Sequence, residues 1–341
     1  MIVKNKVSLT GKRIIHPVIV FLSFFVGATR CNNVREGTAI KLEKSLKESS
    51  QQNISMPTPP HAGVEVSFDV EHRKHNVRSR SKHGARDFST DDLIAEERIT
   101  DGELAELDEF PFYALLIGEY NGQYYSKGCG ATLIEDEWIL TAGHCNVQSG
   151  DIAWIGAVNA ASQRERAVIE NCYVHPDFSW PDPKTKNPPT YDFQLCRLTE
   201  TSSMPKVRLA EADRILRDRT LTVIGMGAEV DGGRSTFMLS KAEVPFQPKN
   251  VCSATYPRDF MPDNMLCAGG GSKDACRGDS GGPLLDYVST QFIQVGIVSF
   301  GYGCGVDGYY GVYADVRTQR AWIDRVICQN SSNRVTPSMC R

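Results

Sequence analysis

From residue 99 onward, short apolar stretches recur between turn signals: Phe112–Ile117, Ala131–Ile134, Trp138–Ala142, Leu221–Ile224, Phe292–Phe300 and Gly311–Val316. Runs of this length, rich in β-branched and aromatic residues and bounded by Gly, Asn and Pro, predict strands; their number predicts an all-β sandwich or a pair of barrels. Helical spacing is confined to the end, Arg317–Cys328, where Trp322, Val326 and the neighbouring isoleucines fall on one side. No internal repeat is visible.

The first hundred residues read differently. Lys4, Lys6, Lys12 and Arg13 precede an apolar run from Pro17 to Ala28 that ends in the small residues Val26-Gly27-Ala28. That pattern predicts a cleaved signal peptide over residues 1–28 and a secreted, extracellular protein. The run is shorter than the roughly 20 residues a membrane span needs; a retained signal-anchor is the alternative. Residues 29–98 have little to bury. Ser45–Pro60 is rich in Ser, Gln and Pro, His72–Arg86 is strongly basic, and Asp87–Glu97 turns acidic. Such composition cannot offset the entropy of ordering and predicts a disordered segment. Its basic run reads as a solvated cleavable linker, with binding to a polyanion or to the acidic body as alternatives.

Charge sharpens this division. Up to Arg98 there are 16 Lys and Arg against 11 Asp and Glu; from Ile99 onward, 22 against 30. A basic leader precedes an acidic body. Cysteine is also uneven: Cys31 stands near the start, and the other ten lie between Cys129 and Cys340. Ten suits five disulfides and an oxidising compartment. No pair has C-x-x-C spacing, which argues against structural zinc.

Three segments carry candidate chemistry: Thr141-Ala142-Gly143-His144-Cys145, Tyr191-Asp192-Phe193, and Gly278-Asp279-Ser280-Gly281-Gly282-Pro283. A lone His or Asp is usually structural. The serine segment says more, because glycines permit a tight loop whose backbone N–H groups converge on one point, as a developing oxyanion requires. A serine hydroxyl still needs a general base within hydrogen-bond reach.

Taken together, the three motifs, in the order His, Asp, Ser, resemble the trypsin-like serine proteases of the chymotrypsin family, over Ile99 to about Cys328. The resemblance implies two six-stranded antiparallel β-barrels with a C-terminal helix, the peptidase domain being residues 99–341. It implies a secreted serine endopeptidase zymogen in which His144 is general base and then general acid, Asp192 orients it, Ser280 is the nucleophile, and the N–H groups of Gly278 and Ser280 form the oxyanion hole. Asp274, six residues before Ser280, matches the acid at the floor of a pocket for Arg or Lys, with Gly301 and Gly311 leaving it open. Ala275, where trypsin has serine, favours Arg over Lys. Arg98-Ile99-Thr100-Asp101-Gly102 resembles the activation junction: cleavage after Arg98 frees the Ile99 ammonium to pair with Asp279. The family usually has glycine at the position of Asp101.

The same resemblance pairs Cys129 with Cys145, Cys252 with Cys267 and Cys276 with Cys304. Cys172 and Cys196, not standard for the family, flank the aspartate loop on two predicted strands and suggest a cross-strand bridge; Cys328 and Cys340 would tie down the tail. The loop from His175 to Asp192 is longer than in trypsin and is expected to narrow the non-primed side of the cleft. Ala157 argues against trypsin's calcium loop, and no cofactor or metal is expected; Tyr310 accompanies sodium binding in some relatives. Phe300 and Met226 replace tryptophans as apolar swaps. Asn53 and Asn330 head N-x-S/T sequons. Expected partners are a protein or peptide substrate, an activating trypsin-like protease and a macromolecular protease inhibitor; neither nucleic acid nor a stable membrane anchor is expected, and the chain reads as a monomer. A non-catalytic binding homologue is the rival from another class, against which the chain keeps all three motif residues.

Overall fold

The computed structural model describes residues 101–340, apart from 160, 161, 163, 183, 186 and 335. The expectations for the signal peptide, the pro-segment, Cys31, Asn53, Arg98 and Ile99 lie outside the described residues.

Fourteen strands are described: β1 (Glu103–Leu104), β2 (Tyr113–Tyr120), β3 (Gln123–Glu135), β4 (Trp138–Thr141), β5 (Ile152–Ile155), β6 (Glu165–Val174), β7 (Gln194–Leu198), β8 (Arg208–Leu209), β9 (Thr220–Gly225), β10 (Ser240–Gln247), β11 (Met265–Ala268), β12 (Pro283–Val288), β13 (Gln291–Phe300) and β14 (Gly311–Asp315). Two helices accompany them, α1 (Lys249–Thr255) and α2 (Arg320–Asn330). Strands β2-β3-β4-β7-β6-β5 close a first antiparallel barrel. A second closes in the order β9-β10-β11-β14-β13-β12, because β12 and β10 both pair with β9. β1 extends it beside β10, and β8 adds a short parallel pairing to β13. Closure leaves these strands no free edge, and each barrel fills its interior with its own side chains.

Local sequence explains the hairpins. Asn121 and Gly122 both take positive φ (52° and 77°) between β2 and β3, the turn that Asn-Gly favours because it matches the strand twist. The first barrel is packed with Leu116, Leu133, Trp138, Ile139, Leu140, Ile152 and Ile155, all at most 1 % exposed; Leu221, Val223, Val244, Leu284 and Val295 fill the second. Helix α2 lays Trp322, Ile323 and Ile327 onto the first barrel's core.

The structure forms five disulfides: Cys129–Cys145, Cys172–Cys196, Cys252–Cys267, Cys276–Cys304 and Cys328–Cys340. Cys172 and Cys196 stand directly opposite each other across β6 and β7. The tail after α2 is also clipped by two buried carboxylates beside the β3–β4 turn. Glu137 accepts from the Ser332 N–H at 2.6 Å and from its hydroxyl; Glu135 accepts from the Ser338 N–H at 3.1 Å and pairs with Lys206 at 3.2 Å. Buried charge is tolerated here because donors meet it.

Two helical expectations change. The predicted helix over Arg317–Cys328 begins at Arg320, since Asp315 accepts from the Arg317 N–H and caps a separate 3₁₀ turn over Val316–Gln319. Helix α1 was not expected: seven residues after Pro248, with only Cys252 buried, are too few to show periodicity.

Candidate active site

Strand β4 ends at Thr141 and runs into a single 3₁₀ turn, Gly143–Cys145, stopped by Asn146 in the left-handed region. The Cys129–Cys145 bridge ties this turn to β3. His144 is thereby aimed at Asp192, which is 2 % exposed. The His144 backbone N–H donates to Asp192 Oδ1 at 2.8 Å, and ring Nδ1 lies 2.6 Å from Oδ2. A carboxylate facing Nδ1 holds the proton there and leaves Nε2 free to accept one. Burial opposes charge on the imidazole, but the Asp192 charge and hydrogen bond outweigh it, so the His144 pKa is raised. Burial would likewise raise Asp192; the His144 contacts and a 2.6 Å bond from the Ser299 hydroxyl overcome it and hold the carboxyl below its ordinary value.

Asp192 is turned inward by a strained residue. Tyr191 has φ of 47°, uncommon for a non-glycine residue, and the Phe193 N–H closes a tight turn onto the Tyr191 carbonyl at 2.8 Å. The Tyr191 ring stacks on His175 (centroids 4.9 Å, planes 15° apart), which is fixed in turn by Gln319 at 3.0 Å. In the loop between them, isolated bridges pair Ser179 with Thr190 and Asp182 with Asn187. At its base Phe178 lies against Gly143, where any Cβ would come within 2.8 Å of the ring.

Ser280 enters from the second barrel. Its carbonyl accepts from the Gly130 N–H of β3 at 2.8 Å, one stitch between the two barrels. Gly281 (φ 75°) makes this approach possible: a Cβ there would fall 2.3 Å from Thr141 Oγ1 and 3.0 Å from Cys145 Sγ. Gly278 (φ 99°) turns the chain just before. The N–H groups of Asp279, Gly281 and Gly282 are spent on Cys276, Val298 and Asp279 carbonyls. Among the described residues, those of Gly278 and Ser280 have no protein acceptor.

Beside Ser280 opens a cleft of about 240 Å³, lined by Ala275, Arg277, Ser299, Gly301, Gly311 and Tyr313 among others. Asp274 lies beneath it, 5 % exposed. Its Oδ2 accepts from the Gly305 N–H at 3.2 Å, while Oδ1 has no partner among the described residues. Burial pushes its pKa up to about 6 against the pull of the Gly305 and Ala275 N–H groups. Gly311 leaves the way to it open, since a Cβ there would stand 3.0 Å from Asp274 Oδ1. A buried carboxylate oxygen without a partner among the described residues thus lies close to Gly311, which lines the cleft.

Asp279 is wholly buried. It takes N–H bonds from Gly227 at 2.7 Å and Cys276 at 2.8 Å, and no cation reaches it among the described residues. Burial raises its pKa to about 7 despite those two bonds. Asp101, where the family usually has glycine, has φ of 51°; aspartate is one of the few other residues that visits this region readily.

Sequence reading missed two features. Ser299 was not singled out; the signal available was a hydroxyl within the otherwise apolar stretch Val295–Phe300. The His175–Tyr191 stack carried no signal, because its members are distant from each other in the turn pattern. Asn330 ends α2, with its amide donating to the Val326 carbonyl at 2.8 Å, and the hydroxyl of its sequon residue Ser332 is engaged by Glu137. The cluster Cys129, His144 and Cys145 has metal-like proximity, but both sulfurs are spent in a disulfide.

Two closed antiparallel barrels, with a buried Asp192 paired to a half-buried His144 in one and a glycine-flanked serine in the other, define a serine hydrolase class. Comparison makes the class specific: the family model for trypsin matches residues 99–323. Trypsin 5G1 of Aedes aegypti is 35 % identical over 244 residues, covering 69 % of this chain and 86 % of its own. Phenoloxidase-activating enzyme 1 of Spodoptera litura is 30 % identical over 307 residues, 82 % of this chain and 79 % of its own. A trypsin-like protease of Streptomyces glaucescens is 34 % identical over 233 residues, 66 % of this chain and 80 % of its own. The chain belongs to the trypsin family and is a serine endopeptidase.

Proposed function

We propose that this endopeptidase is a secreted zymogen that cleaves after Arg, and less well after Lys, once cut at Arg98. In this reading residues 1–28 are the signal peptide, 29–98 the pro-segment and 99–341 the peptidase domain. A macromolecular inhibitor and a trypsin-like activator are the protein partners that the chemistry implies.

The observation that carries the specificity is Asp274, with one carboxylate oxygen unpartnered beneath an open cleft. A guanidinium fits such a carboxylate with two parallel hydrogen bonds. Ala275 offers no hydroxyl to help an ammonium, which favours Arg.

The chemistry then follows from the His144 tautomer. Nε2 removes the Ser280 proton as Oγ attacks the scissile carbonyl. The N–H groups of Gly278 and Ser280 receive the oxyanion, and Asp192 steadies the imidazolium. His144 passes the proton to the leaving amine, giving an acyl-enzyme; water, deprotonated by the same Nε2, releases the acid and restores Ser280. One oxyanion donor contributes on the order of 3 kcal/mol.

Activation rests on Asp279. A buried carboxylate with two N–H donors and no cation is costly, and the Ile99 ammonium released by cleavage would neutralise it and fix Gly278 in place. The bridges Ser179–Thr190 and Asp182–Asn187 in the long loop support restricted cleavage over broad digestion. Hydrolysis of Arg- and Lys-terminated amides, before and after limited trypsin treatment with N-terminal sequencing, tests the whole reading. Activity that appears together with an Ile99 terminus, faster on Arg, is the expected result; a clean Ile99 terminus without turnover would sink it in favour of a binding homologue.

A further inference from the structure

The cleft has a second charged residue, at its mouth. Arg277 directly precedes Gly278 and lines the cleft with Ser280, Ser299 and Gly301. Its side chain is 77 % exposed, and its ion-pair partner is Asp231, itself 53 % exposed, with Nε 3.5 Å from Oδ1. A pair this open and this long is weak, and a guanidinium with five N–H donors has room for another carboxylate. Asp274 therefore lies buried beside the cleft, and an exposed guanidinium, weakly paired with Asp231 of the same lining, stands at its rim.

A peptide lying extended across such a site points alternate side chains to opposite faces. With Arg in the pocket, the residue two positions earlier emerges on the pocket's side, where Arg277 stands; the intervening residue points away. The chain contains such a sequence at its own junction, Glu96-Glu97-Arg98. Bound in that extended form, the segment would put Glu96 on the face of Arg98 and Glu97 on the other.

We propose that Arg277 selects substrates with a carboxylate two residues ahead of the cleaved arginine, and that the Glu96-Glu97-Arg98 junction of a second copy of this chain is one of them. An already active molecule cuts its neighbours, and activation becomes self-propagating. This rests on the reading of Asp274 and Ser280 given above.

The test uses full-length Ser280→Ala chain as an inert substrate and trypsin-activated wild-type enzyme, freed of trypsin, as catalyst. The readout is the initial rate at which the Ile99 terminus appears. Glu96→Gln in the substrate should slow cleavage about two- to fivefold, as expected for one exposed charge pair, and Glu97→Gln should change it less. The Arg277→Glu enzyme should reverse the order, cutting Glu96→Lys faster than the native junction; a ratio of two substrates cancels any difference in the amount of active enzyme. Higher NaCl should bring the wild-type ratio towards one. An uncut Ser280→Ala chain, or a Glu96→Gln effect that is absent or persists in the Arg277→Glu enzyme, would overturn the proposal. Benzoyl-arginine amide, which has no residue to meet Arg277, separates the layers: no turnover of it by Ile99-terminated enzyme would overturn the underlying reading instead.

Discussion

Ser299 donates its hydroxyl to Asp192 Oδ2 at 2.6 Å, the same oxygen that faces His144 Nδ1. The second barrel thus supplies a donor that steadies the carboxylate of the first. Replacing Ser299 with alanine removes one donor from a buried anion, a loss worth about 1–2 kcal/mol. We expect kcat/KM to fall about tenfold with little change in KM, as steady-state kinetics on an Arg amide would register. Unchanged kcat would mean that Asp192 does not depend on this bond.

The pocket acid gives a sharper loss. On the proposed specificity, Asp274→Ala removes the partner of a desolvated guanidinium, and breaking such a pair costs about 3–5 kcal/mol. Hydrolysis after Arg should drop by roughly two to four orders of magnitude, while the slow background on an uncharged side chain should change little. Equal losses on both substrates would show damage to the catalytic residues rather than to the pocket.

The pH profile should tell these two groups apart. His144 must be neutral to act as base, and its pKa is raised; Asp274 must be ionised to hold a cation, and its pKa is raised to about 6. For an Arg substrate, kcat/KM should fall below the His144 pKa with unit slope, and more steeply below about pH 6. A citrulline substrate, isosteric but neutral, should show the His144 limb alone. Identical acid limbs for both would remove Asp274 from the pocket.

Asp279 makes the uncut chain sensitive to pH in a definite direction. Its native pKa of about 7 stands above the ordinary carboxylate value of 3.8, so between those values the native state holds the proton more firmly than the unfolded state. Stability therefore falls as pH rises through this window. Relative to Asp279→Asn, the uncut chain should lose about 2 kcal/mol between pH 5 and 8, measurable by urea unfolding. Cleavage at Arg98 should abolish or reverse the trend, because the new ammonium favours the charged carboxylate.

The Cys172–Cys196 bridge closes a loop with a sequence separation of 24. In the chain-entropy model such a loop is worth about 3 kcal/mol. The double Ser variant should melt roughly 6–12 °C lower by calorimetry, with the Asp192 loop losing order first. An unshifted melting temperature would show that the β6–β7 pairing holds the loop without it.

Much of this site was legible in the chain because its chemistry is carried by short, contiguous motifs. Gly281 is needed where the Ser280 turn meets Thr141, and that need is written as a glycine beside the serine. Asp274 was expected only through the family resemblance, six residues before Ser280, and its burial came from the structure. Ser299 was not: its role exists only because β13 of one barrel passes beside the Asp192 turn of the other. Helix α1 escaped because seven residues show no period, and the start of α2 was set by an Asp315 cap that competes with helix spacing.

By itself, the sequence determined the strand class, the family resemblance carried by three short motifs and the number of cysteines, since each depends on residue type and near neighbours. Only the tertiary structure decided which oxygen of Asp192 serves His144 and Ser299, that Asp274 and Asp279 are buried with no cation beside them among the described residues, and that Arg277 lines the cleft. Burial, and the distance between residues far apart in the chain, are properties of how two barrels pack, and no local pattern carries them.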